Sequence, residues 1–214
     1  MKMFNLHIFP DPENANNDGL VAIGGDFSPV TLLEAYSKGI FPWYENNGLI
    51  FWYSPDPRFL IFKEDFRIGK RLWRYYKKHN YKITFNRDFY SVMKYCQLIK
   101  RNDNGTWITD RMIEGYYELF KLGYAISVEV WNKEKLVGGL YGVNIGKYFC
   151  GESMFSIEQN TSKFAFIELA KKLFFEFNYK FIDCQIYSEH MNRFGGISVP
   201  RKDFLQLLQR SIFL

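Results

Sequence analysis

The 214-residue chain predicts a mixed α/β (α+β) fold, with a small N-terminal unit ahead of a larger C-terminal domain. Three observations point that way. Prolines and glycines from Pro10 to Pro57 punctuate the first stretch, as in a turn-rich unit. Residues 125–151 run as apolar segments around short polar turns, the pattern of a β-hairpin. A long helix then reads over 161–177. The division is drawn at 1–62 and 63–214, and the length is enough to bury a real core.

The elements follow in order. Within 1–62 one helix is clear: Ser28 caps it, Pro29 fits its first turn and Gly39 closes it. Leu32, Leu33, Ala35 and Tyr36 form its apolar face. Two aromatic, proline-stiffened segments come next, at 39–44 and 51–58. A basic helix is predicted at 65–79, then a strand at 81–85 and helices at 88–100 and 109–121. The hairpin pairs 125–131 with 136–145 across the turn at 132–135. A turn at Asn144-Ile145-Gly146 leads into a strand over 147–151, which leaves Gly151–Phe155 in a loop beyond a strand end. Asn160 is the cap candidate for the long helix. A strand is expected over 179–187, then two short helices near 188–194 and after Pro200.

Composition excludes several classes. Hydrophobic content of 47% and charged content of 24% are those of a globular protein. The 20% aromatic content fits an AT-rich coding sequence and does not by itself indicate a ligand platform. The N-terminus lacks a signal-peptide pattern, and no apolar run is long enough to span a membrane; a cytoplasmic protein is expected. Cys96, Cys150 and Cys184 form no CxxC pair, and no HExxH pattern is present. They read as thiols in a reducing compartment, and neither a metal nor a cofactor is implied.

Three constellations carry chemistry. From Lys63 to Lys82 eight bases stand against two acids, Glu64 and Asp65, so this segment accounts for the whole chain's net charge of +5. Arg67, Lys70, Arg71, Arg74, Lys77 and Lys78 recur at three- and four-residue spacing and share a helical face. Cations crowded on one face repel unless an anionic surface neutralises them, and phosphate backbones do that well. A merely solvated face and an anionic membrane surface are the alternatives. The second constellation is Asp183-Cys184-Gln185. On a strand, residues two apart point the same way, and a carboxylate on an apolar strand needs a partner. A structural hydrogen-bond network and an amide oriented by a carboxylate both fit. The third is Glu152 within Gly151–Phe155, either an ordinary loop acid or a site residue. Gly138 and Gly139 permit close approach of a ligand or a second backbone. No nucleophile triad, P-loop or acetyl-CoA pyrophosphate turn is visible.

Taken together, these residues resemble the leucyl/phenylalanyl-tRNA–protein transferase family. The resemblance runs through Asp18–Asp26, Gly39–Trp43, Trp52–Arg58, Gly105–Thr109, Ser127–Trp131, Gly138–Val143, Phe149–Ser156 and Ile182–Gln185. So many segments in one order, over nearly the whole chain, are highly specific. The resemblance implies a small N-terminal domain and a C-terminal domain like the GNAT acyltransferases, with a mixed sheet flanked by helices. It implies transfer of Leu or Phe, and to a lesser extent Met, from aminoacyl-tRNA to proteins beginning with Arg or Lys, which marks them for N-end-rule degradation. It assigns catalysis to Glu152, Asp183 and Gln185. Trp43, Trp107, Leu140, Phe149 and Met154 fall around the terminal adenosine and aminoacyl group, and the basic helix becomes the tRNA patch. A monomer without membrane association is expected. Two departures stand out: Ile126 where the family carries His, and Phe194-Gly195-Gly196 in place of Leu-Gly-Ala.

An ester donor and an amide product make the chemistry downhill, so alignment and oxyanion stabilisation suffice. The acceptor α-amine, with a pKa of about 7.7–8.0, is partly neutral near pH 7. Asp183 is expected to orient Gln185, and Glu152 to hold an ammonium or polar group of the acceptor. Three other readings compete: a tRNA-dependent transferase with a lipid-linked acceptor, a GNAT-type N-acetyltransferase, and a tRNA-binding module without catalysis.

Overall fold

The computed structural model describes residues 9–99 and 106–212. Lys100, the predicted end of one helix, Gly105 of the matched segment and the first eight residues lie outside them. The N-terminal segment opens with a 3-10 turn at Pro12–Asn14 and strand β1 (Leu20–Ile23). Helix α1 (Pro29–Ser37) begins where expected, with the Ser28 side chain accepting from the Thr31 N–H. Gly39 leaves it at φ +73°, a conformation that favours glycine. Strands β2 (Phe41–Asn46) and β3 (Leu49–Tyr53) form a hairpin, and with β1 they make a three-stranded antiparallel sheet in the order β1-β3-β2. This sheet was read from sequence only as stiffened aromatic segments.

The larger sheet has seven strands. It uses β4 (Arg58–Phe62), β5 (Lys82–Phe85), β6 (Ala125–Asn132), β7 (Lys135–Ile145), β8 (Tyr148–Ser156), β9 (Phe181–Asp183) and β10 (Ile197–Val199), in the order β10-β4-β9-β8-β7-β6-β5. The boundary drawn at 62 thus falls at the end of a strand that pairs inside this sheet. β10 was not expected. All pairings are antiparallel except β8 with β9. Parallel neighbours need a crossover, which α5 (Thr161–Lys171) and a following π-helical turn (Lys172–Glu176) supply. The predicted helix over 161–177 is therefore α-helical only to Lys171. The crossover packs tightly because Gly138 lies under its first turn: a Cβ there would stand 2.3 Å from Thr161 Oγ1. Asn160 does not cap α5 with its side chain; Ser156 Oγ accepts the Ser162 N–H at 2.9 Å instead.

Helices cover both faces. On one, α1, α3 (Phe89–Leu98), α4 (Asp110–Lys121) and α7 (Arg201–Ile212) bury Leu32, Tyr36, Val92, Met93, Ile113, Tyr116, Phe204 and Leu208 against Tyr141, Val143 and Phe155. On the other, α5 buries Phe164, Ile167 and Leu169 against Val137, Leu140 and Phe149. The adjacent β7 residues Leu140 and Tyr141 feed opposite cores, as strand geometry requires. The three-stranded sheet shares the first core through Trp52 and Ile50.

The basic helix is shorter than its cation pattern suggested: α2 spans Lys70–Lys78, after Gly69. Residues 65–69 are held by tertiary contacts. Phe66 inserts between Phe166, Phe174 and Phe194, and the Arg67 N–H donates to Phe194 O at 3.0 Å. Arg67 therefore precedes the helix. A short helix α6 (Glu189–Asn192) completes the chain's elements.

Candidate active site

Strands β8 and β9 share a single register pair, Cys150 with Asp183. Beyond it they are no longer bonded, and a cavity of about 920 Å³ opens with residues of both strands' continuations in its wall. Gly151, Glu152 and Met154 line it from one strand, and Cys184, Gln185 and Ile186 from beyond the other. Trp43, Trp107, Leu140 and Phe149 line it too. Seven of the eight residues assigned to catalysis and donor binding thus meet in one hollow.

Two expectations about this region are corrected. Gly151–Phe155 lies inside β8, not in a loop beyond it. The register passes from Tyr141↔Ser153 to Gly142↔Gly151, so Glu152 is the extra residue of a β-bulge. A bulge re-aims one side chain without ending the strand. Gly142 makes room for it, since a Cβ there would stand 2.2 Å from Cys150 O. Nor does Gln185 sit on a strand beside Asp183. β9 ends at Asp183, and Gln185 takes the left-handed conformation at φ +64°. Asp183 still reaches Gln185, but through the backbone: the Gln185 N–H donates to Asp183 Oδ1 at 2.8 Å.

The eighth residue, Asp183, is wholly buried behind the cavity. Arg58 donates to it from Nε at 2.9 and 3.0 Å and from Nη2 at 2.7 Å, and Tyr148 Oη donates at 2.6 Å. Burial opposes the Arg58 charge, but the Asp183 carboxylate and Tyr148 outweigh it, so the guanidinium stays charged. Arg58 also donates to Gly39 O at 3.1 Å, which ties the turn before β2 to the same pair. A bidentate, fully hydrogen-bonded pair is the arrangement in which a buried carboxylate is tolerated. The expected partner of Asp183 therefore exists. Nothing in the sequence marked Arg58, 125 residues away, as that partner.

The Gln185 side chain belongs to Glu152. Gln185 Nε2 donates to Glu152 Oε1 at 2.8 Å, and Tyr116 Oη donates to Glu152 Oε2 at 3.3 Å. Tyr116 in turn bonds Tyr36. Burial raises the Glu152 carboxyl to about 7, with the hydrogen bonds from its neighbours working the other way. Burial and the Glu152 charge push both tyrosines well up, so they remain neutral donors. Cys150 lies beside this pair, but burial pushes its thiol well up, and burial does the same to Cys184. Neither thiol is activated as a nucleophile. The arrangement offers an amide and a titrating carboxyl held at fixed positions in an apolar hollow. That suits alignment of two reactants rather than a covalent intermediate. The sequence placed Tyr36 on an apolar helix face and marked neither Tyr116 nor Tyr148.

The six candidate tRNA-binding cations are exposed, and none enters an ion pair among the described residues. Trp73 and Tyr76 stack at 5.3 Å, and Tyr76 Oη donates to Glu168 Oε1 at 2.7 Å, which docks α2 on α5. Among the described residues no group of three or more His, Cys, Asp or Glu is placed to hold a metal ion, and no helix is long and apolar enough to cross a membrane.

Two family models match. Residues 60–209 match the leucyl/phenylalanyl-tRNA protein transferase, and residues 25–56 match the N-terminal domain of that protein. The chain is 49% identical over 216 residues to the leucyl/phenylalanyl-tRNA–protein transferase of Thermodesulfovibrio yellowstonii, covering 99% of this chain and 88% of that one. It is 47% identical over 208 residues to that of Flavobacterium johnsoniae, covering 97% and 98%. To that of Lawsonia intracellularis it is 48% identical, covering 94% and 88%. With the mixed α/β architecture and a match over nearly its full length, the chain belongs to the leucyl/phenylalanyl-tRNA protein transferase family of tRNA-dependent aminoacyltransferases.

Proposed function

We propose that this protein transfers Leu or Phe, and less readily Met, from aminoacyl-tRNA to the N-terminal Arg or Lys of acceptor proteins, marking them for N-end-rule degradation in the cytoplasm. It acts as a monomer away from membranes. The observation that carries this reading is the Glu152–Gln185 pair in the wall of the cavity between β8 and β9, in a chain of this family.

The acceptor α-amine attacks the ester carbonyl of the aminoacyl group. The new C–N bond forms, the ester C–O bond breaks, and the amine's proton is matched by one taken up at the departing ribose hydroxyl. Glu152 holds the approaching ammonium or a polar group of the acceptor. Gln185 places the amine, with its side chain fixed by Glu152 and its backbone fixed by Asp183. A neutral amide is a very weak base, so its role is positional. Trp43 and Trp107 receive the terminal adenosine by stacking. Leu140, Phe149 and Met154 surround the aminoacyl side chain, where Met adapts to linear and aromatic groups, and stiff β-branched side chains fit poorly. The cations of Arg67 and α2 hold the tRNA body by its phosphates, without reading its sequence.

Incubating labelled Phe-tRNA with a protein that begins with Arg tests the reading: label at that N-terminus is the expected result, and its absence defeats the proposal. Gln185→Ala is expected to lower kcat/KM about 100-fold, the scale of loss when a reacting group is mispositioned. Activity surviving that change would end the positional role.

A further inference from the structure

We propose that Arg193, His190 and Lys163 form a phosphate track that carries the single-stranded 3′ end of the polynucleotide donor from the basic α2 region into the cavity. The inference rests on the reading above and adds residues that neither the sequence motifs nor the family resemblance singled out.

Lys163 lies in the first turn of α5 and His190 on α6, and both line the cavity that holds Glu152 and Gln185. The Lys163 ammonium is half-buried. It donates to the neutral Asn160 Oδ1 at 3.1 Å, and no carboxylate pairs with it among the described residues. Arg193 follows one turn after Glu189 and pairs with it at 2.5 Å, both side chains being largely exposed. Lys163 and His190 line the cavity and Arg193 follows His190 by three residues; of these three basic side chains only Arg193 is ion-paired among the described residues, with Glu189. Burial and the Arg193 charge push Lys163 down, while burial, Lys163 and Arg193 push His190 down against the opposing effect of Glu189. The cluster is short of negative charge, and an arriving phosphodiester supplies it.

These residues adjoin the basic segment already described. The Arg67 N–H donates to Phe194 O, Phe66 stacks on Phe194 at 6.2 Å, and a Cβ on Gly195 would stand 3.5 Å from Arg67 Nη1. Arg193 precedes this contact by one residue, and His190 and Lys163 are themselves part of the cavity wall. A polynucleotide brings one negative charge per residue and gains at each step. An acceptor with an Arg or Lys N-terminus gains nothing from such a rim, so the track serves the donor side.

The test compares two donors in steady-state transfer: Phe-tRNA, and 3′-O-phenylalanyl adenosine, which has no phosphodiester. For Lys163→Gln, KM for Phe-tRNA is expected to rise about tenfold with kcat held within about twofold, and the salt slope of tRNA binding to fall by about one. The loss of kcat/KM on the phosphate-free donor should be several-fold smaller. Lys163→Arg should recover most of the loss, which a packing defect would not permit. Equal losses on both donors, or wild-type KM on Phe-tRNA, would overturn the track while leaving the transferase reading intact. A wild-type protein that transfers from neither donor would bring down both.

Discussion

Glu152 has a carboxyl raised to about 7, against an ordinary value of 4.5, chiefly by burial. Folding therefore favours its protonated form. The associated stability is complete below about pH 4.5 and is lost as pH rises to about 7; at one unit per 1.36 kcal/mol the loss is on the order of 3 kcal/mol. Glu152→Gln should flatten the fall in thermal stability between pH 5 and pH 7.5, and an unchanged slope would place the titration elsewhere. In the proposed role the anion holds the acceptor, so activity should rise through about pH 7, and Glu152→Gln should keep only the limb set by the acceptor amine. Arg58 presents a different case. Removing one partner of a buried ion pair leaves the other uncompensated, so Arg58→Met should destabilise by about 3–5 kcal/mol. Denaturant melts would measure it. A change below about 1 kcal/mol would mean that Asp183 finds another partner or a proton. The sequence showed that Asp183, on an apolar strand, required a partner. It did not show which, because the partner stands 125 residues earlier and meets Asp183 only through the β4–β9 pairing.

At the scale of elements, the bulge in β8 and the turn after β9 determine where the proposed site residues Glu152 and Gln185 sit. Glu152 would follow plain alternation if β8 were regular; the extra residue lets its carboxylate meet Gln185 instead. Gly142 faces that irregularity, and Gly142→Ala would drive a Cβ against Cys150 O. Such overpacking costs about 1–3 kcal/mol, and any shift of β8 moves Glu152 with it. The expected result is a lower Tm together with a larger fall in kcat than in substrate binding; wild-type kcat would show that the bulge tolerates the methyl. The structure shows Asp88 and Thr109 satisfying N–H groups within the first turns of α3 and α4, and helix α1 was legible because Ser28 does the same within its own first turn. The start of α2 was not, since residues 65–69 have helical spacing but answer to Phe194, more than a hundred residues away.

At the scale of the molecule, two cores on opposite faces of one sheet leave a cavity where the sheet's one parallel pair parts. Six exposed cations without an ion pair among the described residues stand on α2 and the segment before it, and α2 docks through Tyr76 on α5, the helix whose first turn lines that cavity. A charged macromolecule bound there should be held largely by counterion release. We expect tRNA affinity to fall steeply with salt and to depend weakly on tRNA body sequence. With about six phosphates neutralised, log K should fall with log salt at a slope on the order of −5. Exchanging Arg71, Arg74 and Lys78 for Gln should remove roughly three from that slope, and a flat response would remove α2 from the interface.

What the sequence by itself determined is the α/β class, the position of most helices, the hairpin, the local surplus of positive charge and the family. Each of these depends on residues close together in the chain, or on motifs preserved in order along it. Seven of the eight residues that the resemblance assigned to catalysis and donor binding line one cavity, so the candidate set was legible as a cluster. Only the tertiary structure decided how they face one another: Gln185 bonded to Glu152 through its side chain and to Asp183 through its backbone, Asp183 held by Arg58, and Lys163 and His190 in the wall of the same cavity. Those relations arise where strands distant in sequence pair, bulge and part. Side-chain direction there follows the register of the whole sheet, which no local pattern specifies.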